Sequence, residues 1–145
     1  MPNPLSDRYV ISTDPDRLDI GYIHAFLSQQ SYWATNRPYE VVERSVRNSL
    51  CFGLYDTTTD QQVGLARVVT DHATFGYLAD VFIDPGHRSK GLGKMLVEHV
   101  VTYPEFASFK RLLLATRDAD NLYAQFGFES VNDKPYHIME IIRSR

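Results

Sequence analysis

VFIDPGHRSKGLGKMLVEHV, residues 81–100, is the stretch whose reading decides the fold. Val81-Phe82-Ile83 has strand character and stops at Asp84-Pro85-Gly86. A basic segment follows, then Gly91-Leu92-Gly93-Lys94, then apolar residues at 92, 95, 96 and 100, which is helical spacing. A strand, a glycine loop and a helix start stand in a row. At such a junction the first helical N–H groups lack acceptors and the positive end of the helix dipole faces the loop, so the unit suits an anion. Glycine lets the backbone approach closely. Arg88, Lys90 and Lys94 add positive charge, and an arginine can clamp a phosphate through two nitrogens. The plain alternative is a tight turn surrounded by solvated charges.

Two familiar phosphate loops do not fit. In G-x-x-x-x-G-K-[ST], Gly86 and Gly91 have the right separation, but Leu92 stands where lysine is needed. In G-x-G-x-x-G, Gly91 and Gly93 are followed by Leu96 in place of the third glycine.

Outward from this unit, the hydrophobic period gives the order β, α, α, a β meander, then α, β, α, β. Tyr9–Ser12 reads as a short strand. Asp19 can cap a helix whose inner face is Ile20, Ile23, Phe26 and Leu27, broken at Asn36-Arg37-Pro38. Pro38 opens the next helix, with Val42, Val46 and Ser49 inward. Residues 51–55, 63–70 and 75–83 read as hairpin-linked strands. Residues 111–115 read as a buried strand, 119–126 as a short helix ended by Gly127, and 136–142 as a last strand. The strand after the glycine-loop helix is expected parallel to the strand before it. The expected fold class is α/β, with a central mixed, mostly antiparallel sheet flanked by helices in one domain over 1–145. The first nine residues are expected to fray.

Composition bounds the partners. A net charge of −3 and a pI near 5.9 lack the basic footprint of a nucleic-acid binder. No apolar run reaches the roughly 18 residues of a membrane span. The N-terminus lacks the h-region of a signal peptide. Cys51 is the single cysteine, which fits a reducing cytoplasm and reads as a buried thiol. The five histidines are scattered and cannot build a zinc cluster with one cysteine, so no metal site is expected.

Arg88-Ser89-Lys90-Gly91-Leu92-Gly93 resembles the R/Q-x-x-G-x-G/A loop of the GNAT superfamily of acyl-CoA-dependent N-acyltransferases. The likeness extends over about residues 50–130. Leu78–Ile83 resembles the family's fourth strand and Leu113–Thr116 its fifth. Ala119-x-x-Leu122-Tyr123-x-x-Phe126-Gly127-Phe128 resembles its A-x-x-L-Y-x-x-x-G-F signature. The resemblance implies a small N-acetyltransferase that uses acetyl-CoA, with direct attack by a primary amine of a small molecule, amino acid or peptide. It implies that the pantetheine arm pairs with backbone groups of Val81, Phe82 and Ile83. The pyrophosphate would rest on the loop Arg88, Ser89, Lys90, Gly91, Leu92, Gly93 and Lys94. Relatives are often homodimers, and no interface is legible here.

The chemistry needs a deprotonated amine, a stabilised oxyanion and a protonated leaving thiolate. Tyr123 stands at the position of the tyrosine that in many relatives points at the CoA sulfur; a phenol can protonate a departing thiolate. A backbone N–H near Phe82 is the implied oxyanion donor. Asp80 is the candidate general base, acting directly or through water; a hairpin-paired carboxylate is the plain alternative. Thr116 replaces the asparagine that relatives often carry seven residues before the tyrosine. For the acceptor, the segment 31–38 holds Tyr32, Trp33 and Arg37, aromatic rings for an apolar or cationic group and a guanidinium for a carboxylate. Trp33 and Tyr32 could equally seal a helix end. Arg67 is left open between the cleft and the solvent face. A second functional class, a catalytically weak acyl-CoA-binding sensor or interaction module, would keep the loop without needing Tyr123.

Overall fold

The computed structural model describes residues 7–143. The fraying expected of the first nine residues falls mainly on residues 1–6, outside the described range; Tyr9 already opens the first strand. In chain order the elements are β1 (Tyr9–Ser12), α1 (Ile20–Gln30), α2 (Tyr39–Arg47), β2 (Leu50–Asp56), β3 (Gln61–Thr70), β4 (Phe75–Ile83), α3 (Leu92–Val101), β5 (Arg111–Leu114) and α4 (Asp120–Ala124). The strands form one sheet in the order β1-β2-β3-β4-β5. The first three pairings are antiparallel and β4–β5 is parallel, so the sheet is mixed and flanked by helices, as expected. One compact unit, carrying the sheet and α1 to α3, ends at Ala115; a second begins at Thr116 and carries α4.

The helix starts follow local chemistry. Asp19 caps α1, its Oδ1 accepting from the N–H of Tyr22 at 3.0 Å. Pro38 stands just before α2, where its missing N–H costs nothing. The inner faces of α1 and α2 bury Ile23, Phe26, Leu27, Val42 and Val46 against Cys51, Leu65 and Phe82. On the other sheet face Leu92 of α3 packs with Tyr9, Leu54 and Val63. Phe52 is fully buried there, in edge contact with Tyr103 and Phe106.

The meander carries one irregularity that decides the site. Leu65 pairs with Phe82, but Arg67 pairs with Ala79. Asp80 and Val81 therefore face the single residue Ala66, which is a β-bulge. Asp80 sits at φ 52°, in the left-handed region that aspartate tolerates better than most residues.

Three expectations change. Residues 136–142 form no strand, and Met139, Ile141 and Ile142 are 88%, 80% and 79% exposed. Strand propensity is realised only where a partner ladder takes up the backbone groups, and among the described residues none pairs here. Residues 111–114 are half-buried, because β5 ends the sheet order and four residues of pairing with β4 are all it makes. Ser49 lies beyond α2, which stops at Arg47.

Candidate active site

The glycine loop is built from its entry outward. The N–H of Asp84 donates to the carbonyl of Val63 at 2.7 Å, tying the end of β4 to β3. The Asp84 carboxylate then accepts from the N–H of Gly86 at 3.0 Å and from the Tyr22 hydroxyl at 3.0 Å. Tyr9 and His87 are joined at 2.8 Å between the hydroxyl and Nδ1. Past this anchored entry, Ser89 and Gly91 take φ of 64° and 80°. Gly91 precedes α3, and the first bond of that helix runs from the Met95 N–H to the Gly91 carbonyl at 3.1 Å. The N–H groups of residues 88–94 have no acceptor among the described residues. A continuous run of unspent donors, at the positive end of a helix and beside Arg88, Lys90 and Lys94, has the makings of an anion cradle. Leu92, 1% exposed, pins it to the core.

Gly93 sharpens this. A Cβ added there would meet nothing within 4 Å, so nothing in the protein requires glycine at this helical position. The residue costs helix stability and leaves open space beside the N–H row, which is what close approach of a ligand demands.

Next to the cradle, β4 is open on one side. Its pairing with β5 ends at Leu78–Leu114, so residues 79–83 have β3 on one flank and, among the described residues, no strand on the other. Phe82 stacks on Phe26 at 3.9 Å between ring centroids, holding this stretch against α1. Val81 and Ile83 are half-buried, and Ile83 packs on the opposite face beside Leu54 and Leu92. Arg88 Nε donates to the Ile83 carbonyl at 3.0 Å, which fastens the loop to the end of the strand.

The bulge delivers Asp80 to the connection between α1 and α2. Trp33 Nε1 donates to Asp80 Oδ1 at 2.8 Å, Arg37 Nη1 to Oδ2 at 3.1 Å and Arg67 Nε to Oδ2 at 2.8 Å. Two acceptor candidates, Trp33 and Arg37, thus converge on the candidate base, and Arg67 joins them, its side chain 13% exposed and bonded to Asp80 rather than turned to solvent. The connection is rigid: Ser31 Oγ donates to the Leu27 carbonyl and accepts from the Ala34 N–H, and Arg37 N–H donates to the Ala34 carbonyl. Burial alone would raise the Asp80 carboxyl. The charges of Arg67 and Arg37, with hydrogen bonds from Arg67 and Trp33, outweigh it and hold the group below its ordinary value.

The model of the acetyltransferase (GNAT) family matches residues 14–128. This chain belongs to that GNAT family. A crystal structure of a GNAT-family protein from Xanthomonas campestris is similar at 40% identity and a TM-score of 0.86, over 98% of this chain and 95% of that one. A Gibberella zeae protein whose name places it among acetyltransferases is 33% identical over 81% of this chain and 76% of its own length. Glucosamine-6-phosphate N-acetyltransferase from Arabidopsis thaliana shares the fold, with a TM-score of 0.62 at 16% identity over 93% of this chain and 99% of that one. The family's members are acyl-CoA-dependent acetyltransferases, and its co-substrate is acetyl-CoA. The cradle and the open edge of β4 fit that group: one offers donors to a pyrophosphate, the other backbone to an extended amide arm.

In this GNAT chain Tyr123 lies on α4, half-buried, its ring in edge contact with Phe128 at 5.8 Å. Gly127, at φ 99°, ends the turn that brings Phe128 back: the Phe128 N–H donates to the Tyr123 carbonyl at 3.3 Å. Thr116 uses its hydroxyl locally, accepting from the Ala119 N–H at 3.0 Å. Tyr32 is 48% exposed and meets Trp33 edge-on at 5.1 Å. Among the described residues, no group of three or more His, Cys, Asp or Glu is placed to hold a metal. Cys51 is buried, and burial raises its thiol to about 12. The sequence reading missed the bulge and the part played by Arg67. The available signal was Arg67 and Asp80 in strands otherwise apolar enough for a core.

Proposed function

We propose that this protein transfers the acetyl group of acetyl-CoA to a primary amine of a small molecule, amino acid or peptide, by direct attack with both partners bound. The observation that carries the reading is the run of unspent N–H donors over residues 88–94 at the start of α3. Acetyl-CoA supplies a thioester-activated acetyl group and a thiol that can leave.

The chain's own groups divide the remaining work. The loop N–H groups and Arg88, Lys90 and Lys94 hold the pyrophosphate. The strand-free flank of Val81, Phe82 and Ile83, with the Ile83 carbonyl already taken by Arg88 Nε, pairs with the pantetheine arm, and a backbone N–H near Phe82 is the oxyanion donor. The Tyr123 hydroxyl gives a proton or hydrogen bond to the departing sulfur. For Asp80 the geometry favours positioning over proton abstraction. Its carboxylate already accepts from three side chains and has a lowered proton affinity, so it is a weak base. Amine deprotonation then runs through water. Trp33 and Arg37 shape the acceptor side, with Tyr32 at its rim. A lone, buried thiol supports a reducing, cytoplasmic setting.

The test is amine-dependent thiol release from acetyl-CoA over a broad amine panel, beside direct CoA binding. Gly91→Asp places a side chain and a negative charge at the cradle, and CoA affinity is expected to fall at least tenfold, about one lost charge-assisted hydrogen bond or more. A folded Gly91→Asp protein with unchanged affinity removes the loop from the cofactor site. CoA binding with no thiol release by any amine favours the sensor.

A further inference from the structure

The cluster of Arg37, Asp80 and Arg67 does not close on itself. A carboxylate offers about four lone-pair sites. On Asp80 they are filled: Oδ1 accepts from Trp33 Nε1 at 2.8 Å and Arg37 Nη1 at 3.3 Å, and Oδ2 from Arg37 Nη1 at 3.1 Å and Arg67 Nε at 2.8 Å. An incoming ammonium finds no free oxygen there. The guanidiniums are the opposite case. Arg37 spends only Nη1, and Arg67 spends Nε on Asp80 and Nη1 on Ser49 Oγ at 3.1 Å.

Arg37 Nε and Nη2 and Arg67 Nη2 have no acceptor among the described residues. None of the three is sealed in the core, since the Tyr55 hydroxyl is the one fully buried side-chain polar atom without a partner among those residues. Yet the side chains of Arg37 and Arg67 are only 12% and 13% exposed. What remains open on them includes their unspent donors. Two guanidiniums against one carboxylate also leave one positive charge in a setting that solvent screens weakly.

We infer that Arg37 and Arg67 form an anion subsite for the acceptor, and that the acceptor is a primary amine carrying a carboxylate a few bonds away, as in an amino acid. The inference deepens the acetyl-transfer reading above and rests on it for the amine. Asp80 stands two residues before Phe82, under ~7 Å along the strand because the bulge shortens the regular rise. An amine directed at the backbone near Phe82 can therefore carry a carboxylate to the guanidiniums. A planar fork matches a carboxylate, and a single surplus charge matches a monoanion better than a phosphate dianion. Asp80 holds both guanidiniums in place beforehand, so little side-chain freedom is lost when an anion arrives.

The test measures binding of the standard amino acids and their carboxamides to the CoA-loaded protein by calorimetry, with O-phosphoethanolamine as the dianionic control. At least one amino acid is expected to bind about tenfold or more tighter than its carboxamide, the scale of one charge-assisted pair. Arg37→Gln is expected to abolish that preference while leaving CoA affinity unchanged. Where Arg37→Gln does not fold, Arg37→Lys keeps a counter-charge for Asp80 and must still reduce the preference, because lysine lacks the fork. Equal binding of acid and amide, tighter binding of O-phosphoethanolamine, a preference that survives the substitution, or no binding by any amino acid overturns the subsite. Thiol release in the same samples separates the two claims. Amides turned over as well as acids sink the carboxylate subsite alone. Acid-selective binding with no thiol release by any amine sinks the transfer reading and leaves the subsite standing.

Discussion

Gly93→Ala separates a glycine needed for a ligand from one needed for the fold, because the two effects have opposite signs. Gly93 is the second residue of α3, and a Cβ there meets nothing within 4 Å. Alanine in place of glycine in a helix gains roughly 0.5–1 kcal/mol, mostly by restricting the unfolded chain. With no clash to offset it, the ligand-free protein is expected to gain about that much in urea unfolding. That corresponds to a midpoint rise of about 1–4 °C for a chain of this size. On the proposed reading, the same methyl would stand where an anion approaches the N–H row of residues 88–94. Losing one charge-assisted hydrogen bond costs about 1.5–3 kcal/mol, so CoA affinity is expected to fall about 10- to 100-fold by calorimetry. Stability rising while affinity falls is the predicted pair. Raised stability with unchanged affinity would refute the close-approach argument and leave Gly93 without a ligand role. Stability and affinity falling together would show that the methyl damages the loop itself.

Tyr123→Phe keeps the ring against Phe128 and removes only the hydroxyl. With a thiolate as leaving group the expected loss is about 10- to 100-fold in kcat, the low end for a general acid; kcat and kcat/KM for the amine should fall together, and wild-type kcat with chemistry rate-limiting would assign Tyr123 to packing. Asp80→Asn leaves Arg37 and Arg67 without their counter-charge, and breaking a buried pair costs about 3–5 kcal/mol. Because the Asp80 carboxyl is held below its ordinary value in the fold, its contribution is present above the unfolded value of about 3.9 and is lost as pH falls through the folded one. The wild-type protein should therefore lose stability in acid below about pH 4, and the Asn variant should show a shallower acid limb; identical limbs in urea titrations would remove Asp80 from the linkage. Cys51, buried and with its thiol raised to about 12, should resist iodoacetamide at pH 8 until the chain is unfolded, and prompt labelling of the folded protein would contradict its burial.

Much of this protein was legible in one dimension because the deciding physics is local. The turn-bounded apolar strands β2 to β4, the Asp19 cap, Pro38 before α2 and the strand–glycine loop–helix unit each rest on residues within a few positions of one another. The anion cradle was legible for the same reason, since a helix start leaves its N–H groups unspent whatever lies far away in the chain. Residues 136–142 show the limit: their propensity is that of a strand, but a strand exists only where another backbone pairs with it. For the acceptor, the sequence offered Tyr32, Trp33 and Arg37 but not where Trp33 and Arg37 meet. Whether Asp80 is a base or a clamp, and whether Arg67 faces solvent or the cleft, depends on one extra residue in the β3–β4 register. That bulge turns Asp80 toward Trp33 and Arg37, 47 and 43 positions away in sequence. Such register is set by the packing of whole strands against α1 and α2, so the network it creates belongs to the tertiary structure alone.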